Sequence, residues 1–165
     1  MKAISKIIII SVLALMSLML INAFLHTPSI DKNPTPINFT IDEQRAINHL
    51  SKSIEFKTIS NQNASSKDLK EFLDFIDWIK ISYKLVVENT SLEMFNQTLL
   101  FRWEGKDSNL QPILLTGHYD VVPVIPGTEN KWQEPPFSGK IDSGYIWGRG
   151  ALDDKSGVIG ILEAV

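Results

Sequence analysis

Cysteine is absent from this chain, which excludes a disulfide framework and every thiolate metal site. An oxidising compartment is neither required nor excluded by that absence. A surplus of one charge is missing too. Sixteen Lys and Arg stand against 19 Asp and Glu, a formal net charge of -3. No basic patch is present to hold nucleic acid, and no acidic tail to suggest a disordered arm. Internal repeats and low-complexity tracts are lacking as well. With 44% hydrophobic residues the 165-residue chain has the material for one modest core, or for part of a larger one.

Long apolar runs are also scarce, with one exception at the N-terminus. Lys2 and Lys6 precede Ile7–Leu25, a run interrupted by Ser11, Ser17 and Asn22. As a helix, its nineteen residues reach about 28 Å, close to a bilayer core of about 30 Å. The lysines lie before the run, so the positive-inside rule puts the remainder on the non-cytoplasmic side. Two readings stand, an uncleaved signal anchor and a cleaved signal peptide, over residues 1–26. Residues 27–44, with Pro28, Pro34 and Pro36, read as a linker. The sequons at Asn38, Asn63, Asn89 and Asn96 fit an exported domain.

The folded part begins with helical periodicity over Ile41 to Phe56, carried by Ala46, Ile47, Leu50 and Ile54. A polar loop follows, and Ser65 with Asp68 forms a capping pair for a second helix. Its expected buried stripe is Leu69, Phe72, Leu73, Ile76 and Ile79. Strands are expected around Leu85–Glu88, Thr98–Trp103 and Gly144–Trp147. Ile113-Leu-Leu115 predicts a central strand covered on both faces. From Lys155 onward the chain reads as a helix still running at its last residue. Helices flanking buried strands predict an α/β layered fold, here expected to be incomplete.

Two patterns could carry chemistry. His118 and Asp120 stand two apart after the apolar run, so on extended backbone they share a face. Imidazole and carboxylate are nitrogen and oxygen donors that zinc accepts. Taken alone, His-x-Asp reads as a loop histidine beside a solvated acid, because the spacing is common. The second pattern is Gly148-Arg-Gly150-Ala-Leu-Asp153-Asp154-Lys155. Its glycines permit close backbone approach, and Asp153 falls just before a helix, where it is either a metal ligand or an N-cap. A dinucleotide loop is set aside, because the third glycine is missing.

Together these residues resemble the aminoacylase and carboxypeptidase S family of dinuclear zinc metallopeptidases. The likeness rests on Pro112-Ile-Leu-Leu-Thr-Gly-His118-Tyr-Asp120-Val-Val-Pro123, on Trp132-Gln-Glu-Pro-Pro136-Phe-Ser-Gly139, and on Gly144 through Lys155. It is clearest from about 99 to 165 and looser before. The resemblance implies a three-layer, zinc-peptidase-like catalytic domain with a mixed sheet, of which residues 45–165 are the N-terminal part. It implies that His118 is a metal ligand and that Asp153 bridges two Zn²⁺ ions through a cis Asp153–Asp154 peptide. Asp120 becomes the catalytic-site partner of His118. Cobalt or manganese would satisfy the same donors. Arg149, Asp154 and Lys155 match motif positions, with salt bridging or positioning as their expected part.

The family's glutamate base, a metal-binding glutamate, a further acidic ligand and a late histidine are expected beyond the equivalent of Val165. Glu129, Glu134, Glu163, His26 and His49 are not assigned to the metal, and Glu163 is expected as a charge on a helix face. The implied substrate is a peptide with a free carboxyl terminus or an N-acyl amino acid. The implied activity is metal-dependent amide hydrolysis, negligible in residues 1–165 alone. The alternative is a truncated, catalytically inactive chain that is membrane-anchored or binds a partner.

Overall fold

The N-terminal apolar run folds as one helix, α1 (Lys2–Leu25), in a computed structural model that describes residues 2–26, 40–61 and 66–165. Its stretch Ile4–Leu25 is long and apolar enough to cross a membrane by length and composition. The chain divides into two units, residues 1–39 and 40–165. Most of the expected linker, the sequons at Asn38 and Asn63, and Ser65 of the capping pair lie outside the described residues.

In the second unit the chain is an α/β fold with small open sheets. Helix α2 (Glu43–Glu55) starts where the Asp42 carboxylate accepts the Arg45 N–H at 3.0 Å, a cap that contributes about 1 kcal/mol. Helix α3 (Ser66–Ser82) follows. It buries Phe75, Ile76 and Ile79, whereas Leu69 and Leu73 of the expected stripe are each 42% exposed. Phe75, Ile79 and Tyr83 form the core with Ile159 and Leu162 of α5 (Lys155–Ala164), and Leu50, Phe56, Trp78 and Tyr119 pack around them. Aromatic edges and faces order this cluster, with Phe75 4.8 Å from Tyr119 and 5.5 Å from Phe56 between ring centres.

The segment expected as a strand at Leu85–Glu88 is instead helix α4 (Lys84–Asn89). Local bonds outweigh the β preference of Val86 and Val87. Val87 N–H donates to Tyr83 O, the Asn89 side chain to Leu85 O, and Thr90 Oγ1 to Val86 O, while Lys84 pairs with Glu88 one turn on. The strand comes later. β1 (Ser91–Phe95) pairs antiparallel with β2 (Thr98–Arg102) through a two-residue loop, Asn96 taking φ 54°. β3 (Ile141–Asp142) and β4 (Tyr145–Ile146) make a second small hairpin across Ser143 and Gly144.

Ile113-Leu-Leu115 does not form the expected buried strand. Its residues are 87%, 77% and 57% exposed, and no described segment pairs with its backbone. A strand is defined by its ladder, and an apolar run without a neighbour alongside remains extended coil.

Helix α5 is locked to α2 by a polar cluster. The Glu163 carboxylate, 5% exposed, takes Arg45 on Oε2 at 2.8 Å, and His49 at 2.7 Å with Tyr83 at 2.8 Å on Oε1. Glu163 is therefore an interior anchor, not a charge on a solvated helix face. Three partners from outside its own helix withdraw it from water.

Candidate functional site

Residues 118–121 are held by a short parallel bridge. Val121 N–H donates to Thr58 O at 2.8 Å, and Ser60 N–H returns to Val121 O at 3.0 Å. Thr58, itself fully buried, donates its hydroxyl to Tyr119 O at 2.5 Å. Extended backbone then sorts the side chains. Tyr119 turns inward onto Phe75 and hydrogen-bonds Gln97 O, its phenol pushed up to about 12 by burial and by Asp120. His118 and Asp120, its neighbours on either side, stay at the surface as the two-residue period requires.

The second half of the site comes from the loop before α5. Gly148 and Gly150 have positive φ, and a Cβ at Gly148 would collide with the fully buried Ile54. The Gly150 carbonyl accepts the Lys155 N–H at 3.1 Å as α5 begins. Lys155 is fully buried, and its ammonium donates to Ser53 O at 2.7 Å and Phe56 O at 2.8 Å and faces the Phe75 ring. Burial presses its pKa down to about 7, with Glu71 opposing. The loop, the end of α2 and the start of α5 are thus tied together beneath Asp153. The Asp153–Asp154 peptide is cis.

These two halves meet. His118 Nε2 lies 3.0 Å from Asp153 Oδ1, although 35 positions separate them. On the other side of the ring, Nδ1 lies 3.1 Å from Asp120 O and 3.2 Å from Asp120 Oδ1. Both of these oxygens are acceptors, so Nδ1 carries a hydrogen. Asp154 accepts the His118 backbone N–H on Oδ2 at 3.2 Å, a positioning contact. Burial presses the His118 pKa down, but the Asp120 carbonyl, the Asp153 carboxylate and both negative charges outweigh it and hold it above 6.5.

With Nδ1 committed as a donor, a neutral ring would turn the Nε2 lone pair toward the Asp153 carboxylate. Two electron-rich atoms at 3.0 Å require a proton or a cation between them. That separation is also within the span of two donors each about 2.1 Å from one zinc ion. The donor set therefore fits a divalent metal as a partial shell. Among the described residues no group of three or more His, Asp or Glu is arranged to hold a metal by itself.

Of the residues not assigned to this site, His49 and Glu163 bond each other in the core, and Glu134 pairs with Lys140 at 2.7 Å. Arg149 has no ion pair among the described residues and instead lies over the Trp132 ring. That stacking has no sequence signal beyond the presence of both residues.

Comparison with known proteins gives the same direction. Residues 114–165 match the model for peptidase family M20/M25/M40. Probable carboxypeptidase S-like 2 of Dictyostelium discoideum is 43% identical over 129 residues, 76% of this chain and 24% of that protein. Carboxypeptidase S of Saccharomyces cerevisiae is 35% identical over 128 residues, covering 73% and 22%. The human N-fatty-acyl-amino acid synthase/hydrolase PM20D1 is 34% identical over 135 residues, covering 79% and 26%. The chain spans about a quarter of the length of these curated relatives. No solved structure matches. With His118, Asp120 and Asp153 gathered at one point and its sequence aligned to these proteins, the chain belongs to peptidase family M20/M25/M40, the family of carboxypeptidase S and its relatives.

Proposed function

We propose that this chain forms the first half of the active site of a zinc-dependent amide hydrolase. In a carboxypeptidase S-like manner, that enzyme removes C-terminal residues from peptides or cleaves N-acyl amino acids. One observation carries the reading: His118 Nε2 and Asp153 Oδ1 converge at 3.0 Å while Asp120 occupies the other ring nitrogen. His118 and Asp153 are the residues that would hold the metal, and zinc, cobalt or manganese would suit those donors. Bound zinc supplies Lewis acidity toward the amide carbonyl and makes water acidic enough to attack it.

The chain's own residues prepare that chemistry. Asp120 fixes the tautomer and orientation of the imidazole through Nδ1 and raises its basicity. Asp154 holds the His118 backbone, and Lys155 secures the start of α5, so the two donors keep their spacing. Helix α1 supports placement at a membrane, as a signal anchor or as a leader, with residues 27–165 on the non-cytoplasmic side because Lys2 and Lys6 precede it.

A second reading, a catalytically inactive chain that is membrane-anchored or binds a partner, draws on the small donor set among the described residues. Isothermal titration with zinc and hydrolysis of N-acyl amino acids, before and after chelation, separate the two. The hydrolase reading expects zinc uptake that His118→Ala and Asp153→Ala abolish, and full-length activity lost to chelator and restored by zinc. Residues 1–165 alone are expected to be inactive. Full-length activity that survives both substitutions would sink the assignment.

A further inference from the structure

The β1–β2 hairpin turns through Asn96 and Gln97, and the two residues meet different surroundings. Gln97 is half-buried, and its carbonyl accepts the Tyr119 hydroxyl, which fixes the tip of the hairpin against the core. Asn96 is exposed and takes φ 54°, a left-handed conformation that asparagine tolerates better than most residues with a side chain. Its side-chain amide has no hydrogen-bond partner among the described residues. The Asn89 amide, by contrast, donates to Leu85 O at the end of α4.

Strand alternation sets what stands beside Asn96. Along β2, Leu99 and Phe101 are half-buried while Thr98, Leu100 and Arg102 are exposed. Phe95 is the cross-strand partner of Thr98, so the two flank the turn together on the solvent face. The core takes Leu99 and Phe101 from the other face, and Phe95 has no part in it. Phe95 is 57% exposed and makes no ring contact among the described residues. An open aromatic ring, a free amide and a hydroxyl thus meet at one hairpin tip. In sequence they are Phe95-Asn96-Gln97-Thr98, of which Asn96-Gln-Thr98 is an acceptor triplet for N-linked sugar. The triplet alone recurs by chance; the exposed turn, the unengaged amide and the uncovered ring beside it do not follow from it.

We propose that Asn96 carries an N-linked glycan whose first sugar is seated on the Phe95 ring. The oligosaccharide comes from a lipid-diphosphate donor. A bond forms between its anomeric carbon and Asn96 Nδ2, and the bond from that carbon to the diphosphate oxygen breaks. Nδ2 gives up one proton, and the lipid diphosphate leaves. The C–H face of a pyranose is apolar, so laying it on Phe95 withdraws both surfaces from water. The proposal depends on the non-cytoplasmic placement of residues 27–165 given above, and not on the hydrolase reading.

The test uses the full chain made in insect cells. In microsomes from those cells it should be protected from added protease. Peptide mass spectrometry, after an endoglycosidase that leaves one N-acetylglucosamine, should find that sugar on Asn96, and Thr98→Ala should leave Asn96 bare. The seat is tested in a background with Asn38, Asn63 and Asn89 replaced by Gln, against the same chain from bacterial cells, where Asn96 is bare. The chain with its single sugar should have an unfolding constant in urea at least about threefold smaller. Phe95→Ala, or Phe95→Leu should the alanine variant not fold, should bring that ratio to one. A protected chain with Asn96 bare overturns the modification and leaves the placement standing, whereas an unprotected chain overturns both. A modified chain with a ratio of one, or a gain that survives loss of the ring, overturns the seat on Phe95.

Discussion

Replacing Glu163 by Gln tests whether the helix that follows Asp153 is docked by a buried charge. The substitution keeps the shape and removes the negative charge. Arg45, with a side chain 53% exposed, can return to water, so its pair counts for less than about 1 kcal/mol. Tyr83 is 6% exposed and the His49 side chain 20%, so neither can be fully rehydrated. Each exchanges a bond to a carboxylate for a weaker neutral one, at about 1 kcal/mol apiece. The expected loss is about 2 kcal/mol in urea unfolding at pH 7, followed by the fluorescence of Trp78, whose ring lies 5.8 Å from His49. Burial presses the Glu163 pKa upward, but Tyr83, His49 and Arg45 outweigh it and hold it below 4.5. A carboxyl with a depressed folded pKa stabilises above its unfolded value and loses that contribution as pH falls through the folded one. The gap between wild type and Glu163→Gln should therefore be constant above about pH 5 and close as the medium is acidified below 4.5. A gap under about 0.5 kcal/mol at pH 7, or one undiminished at pH 3, refutes the argument.

The site itself should behave differently. His118→Ala and Asp153→Ala are expected to remove zinc uptake in titration calorimetry while shifting stability by no more than about 0.5 kcal/mol, because their side chains are 54% and 87% exposed. Asp120→Asn leaves the backbone carbonyl on Nδ1 but removes the charge, so zinc affinity should fall about tenfold with little change in unfolding midpoint. Gly148→Ala drives a methyl into Ile54 at positive φ, and a loss of at least about 2 kcal/mol in the same urea assay is expected.

What the sequence made legible was local. Helical spacing located α2 and α3, and the ordered motifs at His118 and Asp153 named residues that the fold brings to 3.0 Å. The departures have nonlocal causes, with one exception. Leu85–Glu88 departs from its expected strand within a single turn, where i to i+4 bonds override two valines. Glu163 lies on α5 at a position whose surroundings no helical period reveals, since Arg45, His49 and Tyr83 come from 118, 114 and 80 residues away. Ile113-Leu-Leu115 shows the converse. An apolar run states that side chains prefer to be covered and says nothing of what covers them, so burial read from composition is a demand and not a location. The same reasoning separates the two arginines that face the core and the cavities. Arg45 has its carboxylate supplied by this chain, Arg149 has none among the described residues, and the difference lies in which distant segment each loop or helix happens to meet. Residue type alone made them equivalent; among the described residues, the carboxylate that one holds and the other lacks is what sets them apart.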